Sequence, residues 1–457
     1  MARLSSRHIS QLHLYQVLHA VRGNGAPMSR AEIGVTTGLS QPAVSSLTRR
    51  LLESGALVEV GARPAAGGGG RREREFALNP DFVWVVGVNV SLYQLTVTLT
   101  DFAGMVRRTR SAPLVTPMPK AALVKRLVKE VRACVADADG APLTARLAGV
   151  GVALPGFVDS MGDVVHWSAV FSTEGSTAVR NLSSSISKEL GVPVFIENEA
   201  NIRALAEQWF GQAARLSHVA VVTLEQGLGL GMMINGELYR GRAGLAAELG
   251  HMQIVAGGRQ CHCGKHGCLE AYVAHYAIVQ QGQEAGLLPA GDLPPQAIES
   301  AYDQLAGSAR KGNAKAIKIF ERQGRQLGTW IGNVVNLLAP QLVILDGGRQ
   351  AAIELFEAPL RAAMDDAMAL PHRGSVPLVI AHESSEAWAR GAASLVLQRL
   401  DESAETVASA SRHDFEDASH QPAVRRTAIQ ANRPTTALRR VRVKRKPHTT
   451  PIFGDKP

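Results

Sequence analysis

At 457 residues the chain is too long for one compact core and is expected to form two or three domains. It has no apolar run of the roughly 20 residues that a membrane span needs, and its start lacks the apolar stretch of a secretory signal, so we expect a cytoplasmic protein. The net charge of +9 is uneven: Lys and Arg outnumber Asp and Glu by 10 to 5 in residues 1–80 and by 11 to 7 in 401–457, with 28 of each in 81–400. Basic ends indicate a polyanionic partner, although a solvated tail explains the second end equally well.

Residues 8–54 are predicted to form three short helices with a tight turn between the second and the third. Ser29 and Glu32 have the spacing of a capping box, which pairs the exposed amides at a helix start. Gly38 supplies a sharp turn, Ser40 can cap the next helix, and Pro42 suits its first turn. The pattern is typical of helix-turn-helix proteins.

The third helix, SQPAVSSLTRRLLESG, is predicted to contact DNA with its polar face. Val44, Leu47, Leu51 and Leu52 can point inward. Short polar groups with arginines behind them suit a helix in the major groove, although an amphipathic helix with a solvated face has the same pattern. The residues predicted to remain outside are Gln41, Ser45, Ser46, Thr48, Arg49 and Arg50.

Two strands, GALVEV and REFALNP, are predicted to follow, separated by the glycine-rich segment GARPAAGGGGRRER. Arg63, Arg71, Arg72 and Arg74 flank its tip, and a two-stranded wing with a basic tip can reach the DNA backbone or minor groove. Residues 1–80 are therefore predicted to be a winged helix-turn-helix domain that binds double-stranded DNA.

Residues 81–400 alternate strand and helix patterns in the manner of an α/β domain. FVWVVGVNV, LTVTLTDFAG and MVRRTRSAPL are predicted as three consecutive strands, and HVAVVTLEQGLGLGMMING repeats the pairing, which indicates a second, related lobe. Residues 401–457 contain too few apolar residues to pack and are predicted to be a disordered basic tail.

Three of the four cysteines lie in QCHCGKHGCLE, at Cys261, Cys263 and Cys268. In a reducing compartment such a cluster more often binds a metal or does chemistry than forms disulfides. The loop lacks the C-x-x-C pair of a redox device, and zinc would need a fourth ligand beside three thiolates. His262 and His266 lie in the loop and could supply it on spacing alone.

The chain resembles the ROK family of repressors, open reading frames and sugar kinases, and its repressor branch of the xylose-repressor type in particular. The resemblance covers about residues 8–398 and is carried, in the family's order, by GVGVALPGFVDSMGDVV, VPVFIENEANIRALAEQWFG, GLGLGMMINGELYRGRAGLAAELGHM and CHCGKHGCLEAYV. It implies a two-lobed actin/hexokinase-like body. It also implies a closed, structural zinc site, whose ligands would be His251, Cys261, Cys263 and Cys268.

The same resemblance implies a sugar-binding site. Carboxylates suit this task because each can accept hydrogen bonds from two neighbouring hydroxyls. Glu248 and Glu270 could instead be surface or capping residues. The positions that match the family's sugar ligands are Asn198, Glu199, Glu248, His251 and Glu270.

The sequence departs from the family's kinases where phosphate transfer would occur. Glu199 replaces the aspartate that would act as general base, and one extra methylene shifts the carboxylate. The first phosphate loop, DxGGT in the kinases, reads NVSLY after Gly87 and Val88, and the second, Gly-Thr-Gly, is Glu225, Gln226 and Gly227. Only LDGG near Gly347 keeps a fragment of the family's adenosine-side glycines. We expect no ATP binding and no enzymatic activity.

The sequence therefore predicts a sugar-responsive transcriptional regulator that represses carbohydrate uptake or catabolism genes. Palindromic operators bound by two-fold symmetric proteins favour a homodimer or homotetramer, with a sugar or sugar phosphate as effector. The alternatives are an active ATP-dependent sugar kinase with a regulatory DNA-binding head, and an architectural protein whose basic ends bind nucleic acid without sequence choice.

Overall fold

The computed structural model describes residues 6–64, 72–136, 146–172, 178–347, 349–381 and 384–403. The predictions for Arg71 and for the tail beyond residue 403 fall outside these ranges. Within them, no helix is both long and apolar enough to cross a membrane.

The N-terminal part has the predicted winged helix-turn-helix architecture. The Ser29 hydroxyl accepts a hydrogen bond from the Glu32 amide at 3.3 Å, and the Glu32 carboxylate accepts one from the Ser29 amide at 2.8 Å, which completes the capping box. Gly38, with φ of 71°, ends the second helix. The elements are α1 (Ser6–Asn24), β1 (Met28–Ser29), α2 (Arg30–Thr37), α3 (Gln41–Glu53), β2 (Leu57–Pro64) and β3 (Arg72–Leu78).

The wing is an antiparallel sheet with the order β1-β3-β2. Its first strand was not predicted, because two residues carry no recognisable period. Strands β2 and β3 extend further towards the tip than predicted, so Arg63 and Arg72 lie in the strands and not in the connecting loop.

The first lobe of the body is built on a five-stranded sheet with the order β11-β7-β4-β5-β6. The three consecutive strands that the sequence predicted are β4, β5 and β6, which pair antiparallel, whereas β4, β7 and β11 are parallel. The elements of this lobe are β4 (Trp84–Val90), β5 (Gln94–Asp101), β6 (Val106–Pro113), α4 (Lys120–Val135), β7 (Leu147–Leu154), β8 (Phe157–Asp159), β9 (Val164–Trp167), β10 (Val179–Arg180), α5 (Leu182–Leu190) and β11 (Val194–Asn198).

The second lobe repeats this plan on a sheet with the order β14-β13-β12-β15-β16. Strands β12, β13 and β14 are antiparallel, and β12, β15 and β16 are parallel, so β12 corresponds to β4. The remaining elements are α6 (Glu199–Phe210), β12 (Val219–Leu224), β13 (Leu228–Ile234), β14 (Glu237–Leu238), α7 (Glu270–Val273), α8 (His275–Glu284), α9 (Pro295–Arg310), α10 (Ala314–Leu338), β15 (Leu342–Gly347), α11 (Gln350–Ala367), β16 (Leu378–Ala381) and α12 (Ser385–Glu402).

Helix α12 packs directly against the backbone of β4 and β7 because two strand positions lack a side chain. A Cβ atom at Gly87 would lie 1.8 Å from the Ala389 carbonyl oxygen, and one at Gly151 would lie 1.8 Å from that of Ala392. The last described helix is therefore an integral part of the first lobe.

The head and the body share a hydrophobic core, to which α1, α3, α6 and α12 all contribute. Within it, Arg22 of α1 forms an ion pair of 2.9 Å with Asp401 of α12, and the two side chains are 2% and 0% exposed. The Arg22 guanidinium also lies over the rings of Phe102 and Trp209, at 4.7 and 5.3 Å from their centroids. The helix-turn-helix is thus fixed to the body by a desolvated charge pair and not by surface contacts alone.

Candidate functional site

Four side chains converge on one point beside the second lobe. The ligand atoms of His251, Cys261, Cys263 and Cys268 all lie within 4.8 Å of one another. Cys263 Sγ is 3.8 Å from Cys268 Sγ, and His251 Nδ1 is 3.6 Å from Cys261 Sγ. The cluster consists of the four residues predicted as metal ligands, and all three cysteines are free thiols.

The loop that carries the cysteines is folded by its own backbone. The Cys261 amide donates to the Lys265 carbonyl at 2.8 Å, and the Gly264 amide donates to the Cys261 carbonyl at 2.9 Å. Gly267 has φ of 80°, and a Cβ atom there would lie 1.6 Å from the Val255 carbonyl oxygen, so only glycine fits before Cys268.

The two other histidines of the loop lie outside the cluster. His262 is exposed and stacks on Tyr276 with 3.8 Å between the ring centroids, and His266 is exposed. Spacing alone could not decide which of the three histidines is the fourth ligand. In the folded protein His251 lies in the cluster with the three cysteines, and His262 and His266 do not.

The environment of the cluster favours its uncharged forms when no cation is present. Burial lowers the pKa of His251 to about 4 and raises the pKa of the Cys261 and Cys268 thiols. A divalent cation reverses this preference for the thiols, because it binds thiolates and neutral imidazole. The donor set therefore fits a metal ion, and the structure identifies a site that could hold one.

A single cleft contains all five residues predicted to bind sugar. It receives Asn198 and Glu199 from the junction of β11 and α6, and Glu248, His251 and Glu270 from the second lobe. We call this cavity the carboxylate cleft; its other wall residues include Ser91, Leu92, Tyr93, Trp167, Glu225, Gln226, Gly227 and Leu228.

Asn198 is held in place as the N-cap of α6. Its Oδ1 accepts hydrogen bonds from the amides of Ala200 at 2.8 Å and Asn201 at 3.3 Å, and its Nδ2 donates to the Gly156 carbonyl at 2.9 Å. The adjoining Glu199 is partly buried, and burial, together with the carboxylates of Glu225 and Glu270, raises its pKa to about 8.

Glu270 joins the cleft to the metal cluster. It is 6% exposed, accepts a hydrogen bond from the Leu228 amide at 3.2 Å and lies 3.4 Å from Cys261 Sγ. Burial raises the pKa values of both Glu270 and Glu248 to about 7. Glu270 is therefore not the surface residue that the alternative interpretation allowed, and Glu248 is only partly exposed.

Aromatic residues of the first lobe complete the wall beside His251, and the sequence did not reveal them. The His251 ring meets Phe157 edge-on at 4.9 Å and Trp167 at 6.4 Å, measured between centroids, and Trp167 lines the cleft. No spacing in VVHWSAVF distinguishes a cleft aromatic from a core aromatic. An aromatic surface of this kind can pack against the apolar face of a ligand.

In the two turns that would hold phosphate in a kinase, several polar groups are already hydrogen-bonded. Between β4 and β5, Ser91 Oγ accepts hydrogen bonds from the amides of Tyr93 at 3.4 Å and Gln94 at 3.0 Å. Between β12 and β13, the Glu225 amide donates to the Gly227 carbonyl at 3.0 Å, and the Gln226 side chain donates to the Pro295 carbonyl at 2.6 Å.

The polar face of α3 is largely as predicted, with one correction. Gln41, Ser46 and Arg49 are exposed, and Ser45 is half-buried. The prediction that Thr48 faces outward is wrong: Thr48 is 0% exposed. Position 48 lies one helical turn after the buried Val44 and so shares its face. There the Thr48 hydroxyl donates to the Val44 carbonyl at 2.8 Å and accepts from Arg30 Nε at 2.8 Å.

The predicted arginines differ in their availability. Arg50 is half-buried and donates to the Ser10 hydroxyl of α1 at 3.0 Å. Arg63 forms ion pairs with Glu32 and, at 3.3 Å, with Glu75, whereas Arg72 is exposed at the start of β3. Arg49 is therefore the exposed arginine of α3.

The architecture and the site together define a two-lobed, actin/hexokinase-like body that carries a winged helix-turn-helix. Residues 85–399 match the ROK family. The chain is 30% identical to the xylose repressor of Bacillus subtilis over 70% of its length and 78% of the relative's. It is 28% identical to the DNA-binding transcriptional dual regulator NagC of Escherichia coli over 86% of its length and 94% of the relative's. The chain belongs to the ROK family.

Solved structures agree with this fold. A ROK family transcriptional regulator, a homolog of the Escherichia coli MLC protein, superposes with a TM-score of 0.72 at 23% identity and covers 88% of this chain and 99% of its own. A ROK family glucokinase from Streptomyces griseus, solved with glucose and AMPPNP, gives 0.56 at 26% identity and covers 68% and 98%. The match to the regulator thus extends over more of the chain than the match to the kinase.

Proposed function

We propose that this protein is a sugar-responsive DNA-binding transcriptional regulator that represses genes of carbohydrate uptake or catabolism. The observation that carries the proposal is the convergence of Asn198, Glu199, Glu248, His251 and Glu270 on one cleft, in a body joined to a helix-turn-helix. The names of two relatives, a xylose repressor and a DNA-binding transcriptional dual regulator, support the same kind of function. In this proposal residues 1–80 bind DNA, 81–400 bind the sugar and 401–457 form a basic tail.

The metal in the cluster is proposed to be a structural zinc ion. In a tetrahedron with zinc–sulfur bonds of about 2.3 Å, two sulfur atoms are about 3.8 Å apart, and a sulfur and a nitrogen are about 3.6 Å apart. The distances of 3.8 Å between Cys263 and Cys268 and 3.6 Å between His251 and Cys261 agree with these values. With four protein ligands the ion has no free position, so it would hold the cleft wall and take no part in a reaction.

The body is proposed to bind sugar without phosphorylating it. The turns at 91–94 and 225–227 offer no glycine-rich loop, and the amides of Tyr93, Gln94 and Glu225 are occupied as described. Glu225 would repel the phosphates of a nucleotide. The rival function, an active sugar kinase, is tested by incubating the zinc-loaded protein with ATP and a panel of hexoses and amino sugars; formation of sugar phosphate and ADP would establish it.

DNA recognition is proposed to use the exposed face of α3, with Gln41, Ser46 and Arg49 nearest to the bases. Because two-fold symmetric repressors bind two half-sites, we propose a homodimer or homotetramer on a palindromic operator.

The experiment that tests the proposal is genome-wide mapping of binding sites with and without candidate sugars, followed by mobility shifts on the recovered operator. Arg49→Ala should weaken operator binding by about 1 to 3 kcal/mol. Arg310→Ala, which removes an exposed arginine from α9 of the body, should leave it unchanged. Equal and purely salt-dependent binding to all DNA would support the architectural alternative instead.

A further inference from the structure

The carboxylate cleft has a strongly one-sided charge. Four carboxylates line it, those of Glu199, Glu225, Glu248 and Glu270, and no lysine or arginine of the described residues is among its wall residues. Three thiolates around a divalent cation would add a further net negative charge beside it. A ligand in this cleft therefore meets acceptors and negative charge on several sides.

Three basic side chains outside the cleft wall are engaged with other groups. Arg240 forms an ion pair of 2.6 Å with the buried Glu197, and Arg349 is paired with Glu299 and Asp303. Lys265 is exposed and donates to the His251 carbonyl at 3.1 Å. None of the three is among the residues that line the cleft.

Several of the backbone amides that border the cleft already donate hydrogen bonds. A helix N-terminus is a usual place for a phosphate, but in α6 the amides of Ala200 and Asn201 donate to Asn198 Oδ1. The Leu228 amide donates to Glu270. The amides of Tyr93 and Gln94 donate to Ser91 Oγ.

We propose that the effector of this protein is an unphosphorylated, uncharged sugar, and that sugar phosphates are excluded by the charge of the cleft. The inference rests on the proposed function and selects one of the two effector classes that the sequence left open. Neutral hydroxyls suit this wall because they donate hydrogen bonds to carboxylates, whereas a phosphate would bring further negative charge into a cleft that four carboxylates line and no described lysine or arginine lines. Burial, followed by the neighbouring carboxylates, raises the pKa of Glu199 to about 8, a direction that agrees with this argument from charge.

The test is calorimetric titration of the full-length, zinc-loaded protein with matched pairs of ligands: xylose, glucose and N-acetylglucosamine, each beside its phosphate ester. We expect at least one free sugar to bind and its phosphate to bind about 100-fold more weakly, since two like charges in a partly desolvated cleft each cost about tenfold. If a phosphate binds as tightly as its free sugar, or more tightly, the inference is wrong while the proposed function stands. If no sugar of either class binds or alters operator binding, the proposed function fails and the inference fails with it.

A charge variant tests whether the carboxylates cause the exclusion. Glu225→Gln removes one charge from a residue outside the predicted sugar-ligand set and should narrow the difference between free and phosphorylated sugar by about tenfold. Glu354→Gln, on the exposed face of α11, removes the same charge away from the cleft and should leave the difference unchanged. An undiminished preference in Glu225→Gln would contradict the electrostatic explanation.

Discussion

His251 belongs both to the metal cluster and to the wall of the carboxylate cleft, so a single side chain links metal binding to ligand binding. Glu270 makes a second link, because it contacts Cys261 and lines the same cleft. At the scale of residues, the metal loop therefore determines where two of the five predicted sugar ligands lie.

Removing one thiol should affect metal and sugar together. In Cys263→Ser we expect zinc affinity to fall by about 100-fold or more, because a hydroxyl replaces a thiolate in a closed four-ligand site. Sugar-induced thermal stabilisation should be lost with the metal. Metal content by mass spectrometry and melting curves with and without sugar measure both effects.

His266→Ala is the matched control, because His266 lies in the same loop but outside the cluster. Its zinc content should equal that of the unmodified protein. Full metal content in Cys263→Ser would show that the ligand assignment is wrong.

Glu199 makes the ligand-free protein sensitive to pH. Its pKa is raised from 4.5 to about 8 in the folded protein, mainly by burial. As pH rises from about 4.5 to about 8, the unfolded chain loses this proton while the folded protein retains it, so the residue lowers folding stability across that window. Glu199→Gln should therefore be more stable than the unmodified protein at pH 8.5, by on the order of 1 to 3 kcal/mol, but not at pH 4.5.

The free energy of unfolding of Glu199→Gln, measured at pH 4.5 and at pH 8.5, distinguishes this pH-dependent effect from a general improvement in packing. Glu237→Gln, which changes an exposed carboxylate on β14, should show no comparable dependence on pH. A gain in Glu199→Gln that is equal at both pH values would contradict the burial argument.

At the scale of elements, close packing between α12 and the first sheet depends on two glycines in neighbouring strands. A methyl group at Gly151 would overlap the carbonyl group of Ala392. That carbonyl belongs to the backbone of α12, so it cannot rotate away as a side chain could. We expect Gly151→Ala to lower the free energy of unfolding by about 2 kcal/mol or more.

Gly307→Ala provides the opposite case in α9. No atom lies within 4 Å of a Cβ placed there, and alanine favours the helix, so this variant should be more stable by about 0.5 to 1 kcal/mol. Chemical denaturation of both variants measures the contrast. A Gly151→Ala protein as stable as the unmodified one would show that α12 can move away from the sheet at little cost.

Features encoded over a few residues could be predicted from the sequence, and features that depend on distant contacts could not. The capping box at Ser29 and Glu32 and the cysteine loop are local signals, and the structure contains both. Thr48 was assigned to the wrong face because a threonine satisfies its hydroxyl within the helix, which polarity alone does not show. The family resemblance, and not spacing, selected His251 over His262 and His266.

At the scale of the whole molecule, the head is joined to the cleft by one continuous helix. Helix α6 begins at Glu199 in the cleft and ends at Phe210, and its Trp209 contacts His19 and Arg22 of α1. Arg22 and Asp401 are separated by 379 residues in sequence, so no local pattern could reveal their pairing. A displacement of α6 at the cleft would therefore reach the DNA-binding head through the contact of Trp209 with His19 and Arg22.

Replacing this ion pair should separate stability from signalling. Asp401→Asn alone leaves the buried Arg22 without its charged partner and should lower stability by about 3 to 5 kcal/mol, whereas the double variant Arg22→Met, Asp401→Leu should recover most of that loss. If α6 and this contact transmit the signal, the folded double variant should still bind the operator but need at least about tenfold more sugar for the same change in operator occupancy, since a coupling of 1 to 3 kcal/mol corresponds to about 5- to 150-fold. Operator titrations with and without sugar measure this, and unchanged sugar potency in the double variant would mean that the signal reaches the head by another route.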